Sequence, residues 1–267
     1  MHGKSLKLLV LACATVVSLS GCGTFGEKGD DTKTWSAARL YAEAKDEMAA
    51  GSYEKAIQYF EKLESRYPFG TYAQQAQMET AYSYYKQGDQ AQALAAVERF
   101  IKLHPNHDNL DYMYYLRGLI TFNDQLGLLN FIGNQDITER DPKASRDSFD
   151  AFKQLVTQFP DSKYTPDALS RMKYLVNALA QYDVHVARYY FRRGAYLAAA
   201  NRAKTAITEY PDAPAIEEAL FIMVKSYDAM GMTELRDDAQ RVFTKTFPNS
   251  EIASGKKQGK SWWQIWK

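Results

Sequence analysis

The sequence predicts an all-α chain: five helix-turn-helix units stacked as an α-solenoid of about ten helices. Three observations predict it. Leu40 to Pro68 reads as two amphipathic helices divided at Gly51-Ser52 and stopped at Tyr67-Pro68. The same layout recurs at Gly88 to Pro105, 37 residues on, and again at Gly194 to Pro211 and Gly231 to Pro248, also 37 apart. Helices this short cannot bury their apolar faces alone, so each unit needs neighbours of its own kind.

In the first unit, Leu40, Ala44 and Met48 form an i, i+4, i+8 stripe on a helix expected over 35–50. Gly51 tolerates a left-handed turn, and Ser52 is placed to cap the next helix. Tyr53, Ala56, Ile57, Phe60 and Leu63 make one face of that helix, which ends before Pro68 because proline lacks a donor. The second unit repeats the pattern with Ala93, Val97 and Phe100. Unit three has a first helix from Asp111 and a second carrying Phe149, Phe152 and Leu155 before Phe159-Pro160. About eighteen extra residues, including Leu128, Phe131 and Ile132, interrupt it between Gly118 and Lys143. Such an apolar insertion either packs back on the array or meets a partner. Pro166 to Arg193 contains no breaker, which predicts one long helix of about 27 residues with Thr165 as its cap. The order of small residue, turn glycine, alanine and closing proline resembles the tetratricopeptide repeat (TPR).

The division expected is a leader over 1–21, a flexible tether over 22–34 and N-terminal units one to three over 35–160. C-terminal units four and five follow over 161–250, then a basic, Trp-rich tail over 251–267. Lys4 and Lys7 precede the apolar run Leu8 to Leu19, as in an export signal. Leu19-Ser20-Gly21-Cys22 resembles a bacterial lipobox, which implies acylation of Cys22 and a palmitate-bearing anchor; Gly23 after it favours the outer membrane. Cys13 lies in the leader, so no disulfide is expected. The formal charge of +1 argues against a nucleic-acid binder. The tail holds Trp262, Trp263, Trp266 and four lysines; a membrane surface, a partner groove and an unstructured tail all remain open for it.

No catalytic arrangement stands out, and no cofactor is expected: the chain has no P-loop, Gly-x-Gly-x-x-Gly or His-Glu-x-x-His. His104, His107, Asp108 and Asp111 gather at a unit junction without ligand spacing, so no metal is assigned. A groove is the better candidate. The first helices of a stacked array line its inner side, and counting from the turns places Tyr41, Lys45 and Met48 there from unit one. Gln75, Met78, Tyr82 and Tyr85 follow from unit two, and Tyr112, Tyr115, Leu119 and Phe122 from unit three. Units four and five add Val184, Arg188, Phe191, Glu218, Phe221, Lys225 and Asp228. Aromatics and methionine offer adaptable apolar area for a peptide, although each could equally be core between helices. Lys45 could meet a carboxylate.

Lipobox Cys22, Arg66-Tyr67-Pro68-Phe69-Gly70, Tyr84-Tyr85-Lys86, Arg99-Phe100-Ile101, Asp111-Tyr112 and Arg117-Gly118-Leu119 together resemble the BamD (ComL) family. Asp141-Pro142, Arg193-Gly194-Ala195-Tyr196 and Asn201-Arg202 extend the likeness over about 6–250. These are TPR lipoproteins of the outer-membrane β-barrel assembly (BAM) complex. The resemblance implies a non-enzymatic scaffold anchored by its lipid on the periplasmic face of the outer membrane. Its C-terminal units would bind a POTRA domain of BamA, with Asn201 and Arg202 at that interface, and other Bam lipoproteins would bind the same half. Its N-terminal groove would take unfolded outer-membrane protein precursors. The alternative is another periplasmic TPR lipoprotein adaptor, serving peptidoglycan enzymes or pilus and secretin assembly.

Overall fold

The computed structural model describes residues 31–126 and 142–254. The leader, Cys22, most of the tether, the core of the insertion and residues 255–267 of the Trp-rich tail lie outside the described residues.

Among the described residues the chain is wholly helical. Paired helices follow in order: α1 (Ala37–Ala49) and α2 (Tyr53–Arg66), α3 (Thr71–Gln87) and α4 (Gln90–Leu103), α5 (Leu110–Leu126) and α6 (Pro142–Gln158). Then come α7 (Thr165–Arg192) and α8 (Tyr196–Glu209), α9 (Ile216–Ala229) and α10 (Thr233–Thr246), with a closing turn α11 (Glu251–Ser254). Each helix packs on its successor through α10, and first helices also touch across units, α1 on α3, α3 on α5 and α7 on α9. None is long and apolar enough to cross a membrane among the described residues.

The turns follow from local chemistry. Gly88 adopts φ 79°, and its N–H and that of Asp89 donate to the carbonyls of Tyr85 and Tyr84 that end α3. Gly194 repeats this at φ 74°, with its own N–H and that of Ala195 donating to Phe191 and Tyr190. Asp89 caps α4 by accepting from the Gln92 N–H at 3.2 Å. Ser52 stands at the N-cap of α2 but makes no side-chain capping bond. The expected cap of α7 is also displaced by one residue: Tyr164 holds the N-cap position, and the Thr165 hydroxyl donates instead to the Phe159 carbonyl at 2.8 Å. That bond ties the long helix back to the loop closing unit three.

Two further expectations change. The ordered part starts before Trp35, because Arg66 reaches back to Thr32, donating to its carbonyl and, at 3.1 Å, to its hydroxyl. Residues 31–34 therefore form a turn on the first unit rather than part of a free tether. Gly118, which borders the insertion in the sequence, is demanded by packing. A Cβ there would stand 2.4–2.9 Å from ring atoms of Phe152, so only glycine lets α5 approach α6 this closely.

The core runs along the array. Leu40, Phe60 and Leu63 fill unit one, and Val97, Phe100, Met113 and Leu116 join unit two to α5. Each such side chain contributes about 1.5–3 kcal/mol of burial. The long helix α7 serves two cores. Its Ala168 and Leu175 pack with Phe122, Phe152 and Leu155, while Leu179, Val184 and Ala187 pack with α8 and α9.

Candidate peptide-binding face

The first helices of units one to three bring seven of the sequence-predicted residues onto a half-buried face: Tyr41, Lys45 and Met48 on α1, Tyr82 and Tyr85 on α3, Tyr112 and Tyr115 on α5. Gln75 is half-buried on α3 as well. Tyr41 packs between Phe60 and Tyr72 at centroid distances of 5.9 and 5.6 Å, and Tyr82 meets Tyr85 at 6.2 Å. Tyr115 stacks on Tyr164, 4.7 Å away at 14° between planes, and donates its hydroxyl to Asp167 at 2.7 Å. The rings therefore run from α1 across α3 and α5 to the start of α7.

Two residues expected on this face are core instead. Met78 is 8% exposed and packs with Ala81, Ala93 and Val97, because α3 is sandwiched between helices and this edge of it points inward. Phe122 is 6% exposed, held by Phe152 and Tyr174 and covered by the Arg171 guanidinium at 4.9 Å. Val184 and Phe221 are buried in the same way in the C-terminal half.

Glu79 is the residue that the sequence reading missed. It accepts from Lys45 at 2.6 Å, which ties α1 to α3 and leaves Lys45 already answered by a carboxylate. Burial pushes the Tyr41 phenol up, and the charge and hydrogen bonding of Glu79 push it further. Burial and then Glu79 also raise Tyr112, so one carboxylate acts on rings from both flanking helices. Burial and the bond to Asp167 push Tyr115 up to about 12. These phenols stay protonated and act as hydroxyl donors and acceptors. Glu79 lies three residues before Tyr82, the i, i+3 spacing that could have found it. Tyr164, in the loop before α7, carried no periodic signal.

The face offers half-buried rings with hydroxyl tips. His104 pairs with Gln77 at 2.8 Å, and His107 Nδ1 accepts from the Asn109 N–H at 3.0 Å, each serving the unit junction. In the C-terminal half the first-helix charges satisfy each other: Arg188 forks onto Glu218 with bonds of 2.8 and 2.7 Å. Arg202 donates to Asp183 at 3.0 Å, while neighbouring Asn201 is exposed. Asp183 is 1% exposed; burial raises its carboxyl against the opposing pull of Arg202, and its Oδ2 has no partner.

A stack of paired helices with half-buried rings on its first helices defines, among the described residues, a helical-repeat protein. Comparison with known proteins narrows the class. Residues 33–254 match the family described as YfiO, outer membrane lipoprotein, and the chain belongs to that family. It is 44% identical to the outer membrane protein assembly factor BamD of Neisseria meningitidis serogroup A, over 98% of this chain and all of that one. Identity to the factor of the same name from Xylella fastidiosa strain Temecula1 is 34%, over 94% of this chain and 86% of that one. With that of Vibrio cholerae it is 39%, over 74% and 82%. Among solved structures it is similar to MamA protein, 15% identical with a TM-score of 0.38, over 84% of this chain and 97% of that one.

Proposed function

We propose that this protein is a non-enzymatic scaffold in outer-membrane protein assembly. Its inner face in units one to three receives extended segments of unfolded barrel precursors. The observation that carries this reading is the recurrence of half-buried tyrosines, Tyr41, Tyr82, Tyr85, Tyr112 and Tyr115, on three successive first helices. Tyrosine buries large apolar area at low entropic cost and keeps a hydrogen-bonding tip, which suits a binder of many sequences. The naming of the relatives as assembly factors supports the same role. Acylated Cys22 would hold the chain on the periplasmic face of the outer membrane, beside its partners.

The C-terminal units would dock a POTRA domain of BamA, with Asn201 at the contact and other Bam lipoproteins on the same half. Lys45 already shares its charge with Glu79 but keeps further N–H donors, so it and the tyrosine hydroxyls are the anchors for a chain end. A photo-crosslinking residue at Tyr82 or Tyr112 should capture a peptide from the C-terminus of a barrel precursor. Tyr82→Ala with Tyr85→Ala should weaken that capture several-fold while the helical spectrum is kept. Undiminished capture by the double variant would place the precursor elsewhere.

A further inference from the structure

A cleft of about 550 Å³ opens on the second-helix side of units one and two, away from the aromatic face. Glu61 and Glu64 of α2, Gln77 and Thr80 of α3, and Ala96 and Arg99 of α4 line it. Its polar groups are held in place. Glu64 accepts from Arg99 at 3.1 Å and from Gln77 at 3.2 Å, and Gln77 pairs in turn with His104. Tyr84, also at the wall, donates to Glu61 at 3.3 Å. A carboxylate offers about four lone-pair sites, so both glutamates keep acceptor capacity. Thr80 is only 5% exposed, lines the cleft, and its hydroxyl bonds to no other described residue. The hydroxyl is open to the cleft rather than sealed from solvent, so it can accept a hydrogen bond from a donor that enters.

The repeat itself shows what. Gly88 to Pro105 and Gly194 to Pro211 are equally long, so units two and four correspond position by position. Eleven residues before the turn glycine stand Gln77 and Asp183; nine before the closing proline stand Ala96 and Arg202. In unit four Arg202 extends from the second helix to the first and pairs with Asp183 at 3.0 Å. In unit two the second helix offers only a methyl group at that place, and the cleft opens there, with negative charge supplied by Glu61 and Glu64 of the unit before. Among the residues that line the cleft, two glutamates stand against one arginine. We propose that this cleft is a socket for a guanidinium brought from outside, an arginine side chain of an extended polypeptide partner. The guanidinium fork, with five donors and no acceptor, matches a wall of two carboxylates and an unpaired hydroxyl.

The test uses the full chain in detergent, with Thr80 and Ala96 methyl groups as magnetic-resonance reporters. N-acetyl-arginine amide should give saturable shifts at both methyls, and N-acetyl-norleucine amide should bind at least about fivefold more weakly. Glu64→Gln should weaken the arginine response by about the same factor, with Glu61→Gln as the second variant should the first disturb the fold. Ala96→Arg, which copies unit four, should fill the cleft and abolish the Thr80 response. Absent shifts, an equal response to norleucine, or binding that survives Ala96→Arg would overturn the proposal. Removing residues 255–267 separates the sources. Unchanged affinity supports an external arginine, and tighter binding assigns the cleft to the chain's own tail lysines and overturns it.

Discussion

Replacing Arg202 by Met keeps the aliphatic stem and removes the guanidinium hydrogen-bonded to Asp183, leaving only the charge of Arg146 to oppose its burial. The carboxylate left behind is 1% exposed, and one of its oxygens is already unpaired. Breaking a buried pair from one side costs about 3–5 kcal/mol. Arg202 is itself about a third exposed, so water can partly replace it, and the loss should fall near the low end, about 3 kcal/mol. For a domain of this size that is a fall in Tm of about 6–12 °C. Urea unfolding followed by circular dichroism measures it directly. Asp183→Asn removes the charge, so Arg202→Met in that background should cost less than about 1 kcal/mol, giving a coupling of about 2 kcal/mol. The pH dependence has a definite sign. Burial raises the folded-state carboxyl of Asp183 above its unfolded value, so the folded state binds the proton more tightly and gains stability as pH falls. Without Arg202 only the charge of Arg146 still opposes burial, and the deficit of Arg202→Met should shrink from neutral pH towards the ordinary carboxylate range. A deficit that is constant with pH, or that Asp183→Asn fails to relieve, would refute a buried pair.

Other expectations follow from single contacts. Gly118→Ala puts a Cβ within 2.4 Å of the Phe152 ring and should cost about 1–3 kcal/mol in the same unfolding assay, recovered in part by Phe152→Leu. Glu79→Gln removes a charge that raises both Tyr41 and Tyr112, so near-ultraviolet titration should show both phenols ionising at lower pH than in the parent protein.

Local signals carried most of the architecture. Each turn glycine and closing proline marks a boundary that steric limits impose on its own residue, so the units were legible one at a time. The Ala, Leu and Phe stripes gave the buried faces for the same reason. Ambiguity lay in what two helices do to one position. Met78 and Tyr82 look equivalent along α3, yet α3 has neighbours on both flanks; Met78 points between them and Tyr82 does not. Glu79 and Asp183 were hidden differently. A lone acid inside a helix reads as solvated surface, and only the position of Lys45 or Arg202 on another helix gives it a role. Tyr164 joins the aromatic face from a loop, where no periodicity exists to reveal it.

The pairing of Arg202 with Asp183 also changes how a C-terminal docking surface must be tested. Charge reversal at Arg202 would place an acid against a buried acid, and lost co-purification with a partner would then report the fold rather than the contact. The neighbouring surface of α8 separates the two. Leu197, Asn201 and Lys204 are all exposed, at the i, i+4, i+7 spacing of one helix face, and Leu197 is 58% exposed without a packing role that its loss would undo. Leu197→Arg should therefore leave unfolding within about 0.5 kcal/mol of the parent, as surface substitutions do. If a POTRA domain docks on this face, the same substitution places an uncompensated cation in the interface and should abolish co-purification of BamA from detergent-solubilised outer membrane. Arg202→Met rescued by Asp183→Asn should then retain the partner unless Arg202 touches it directly. Undiminished co-purification with Leu197→Arg would move the contact off this face of α8.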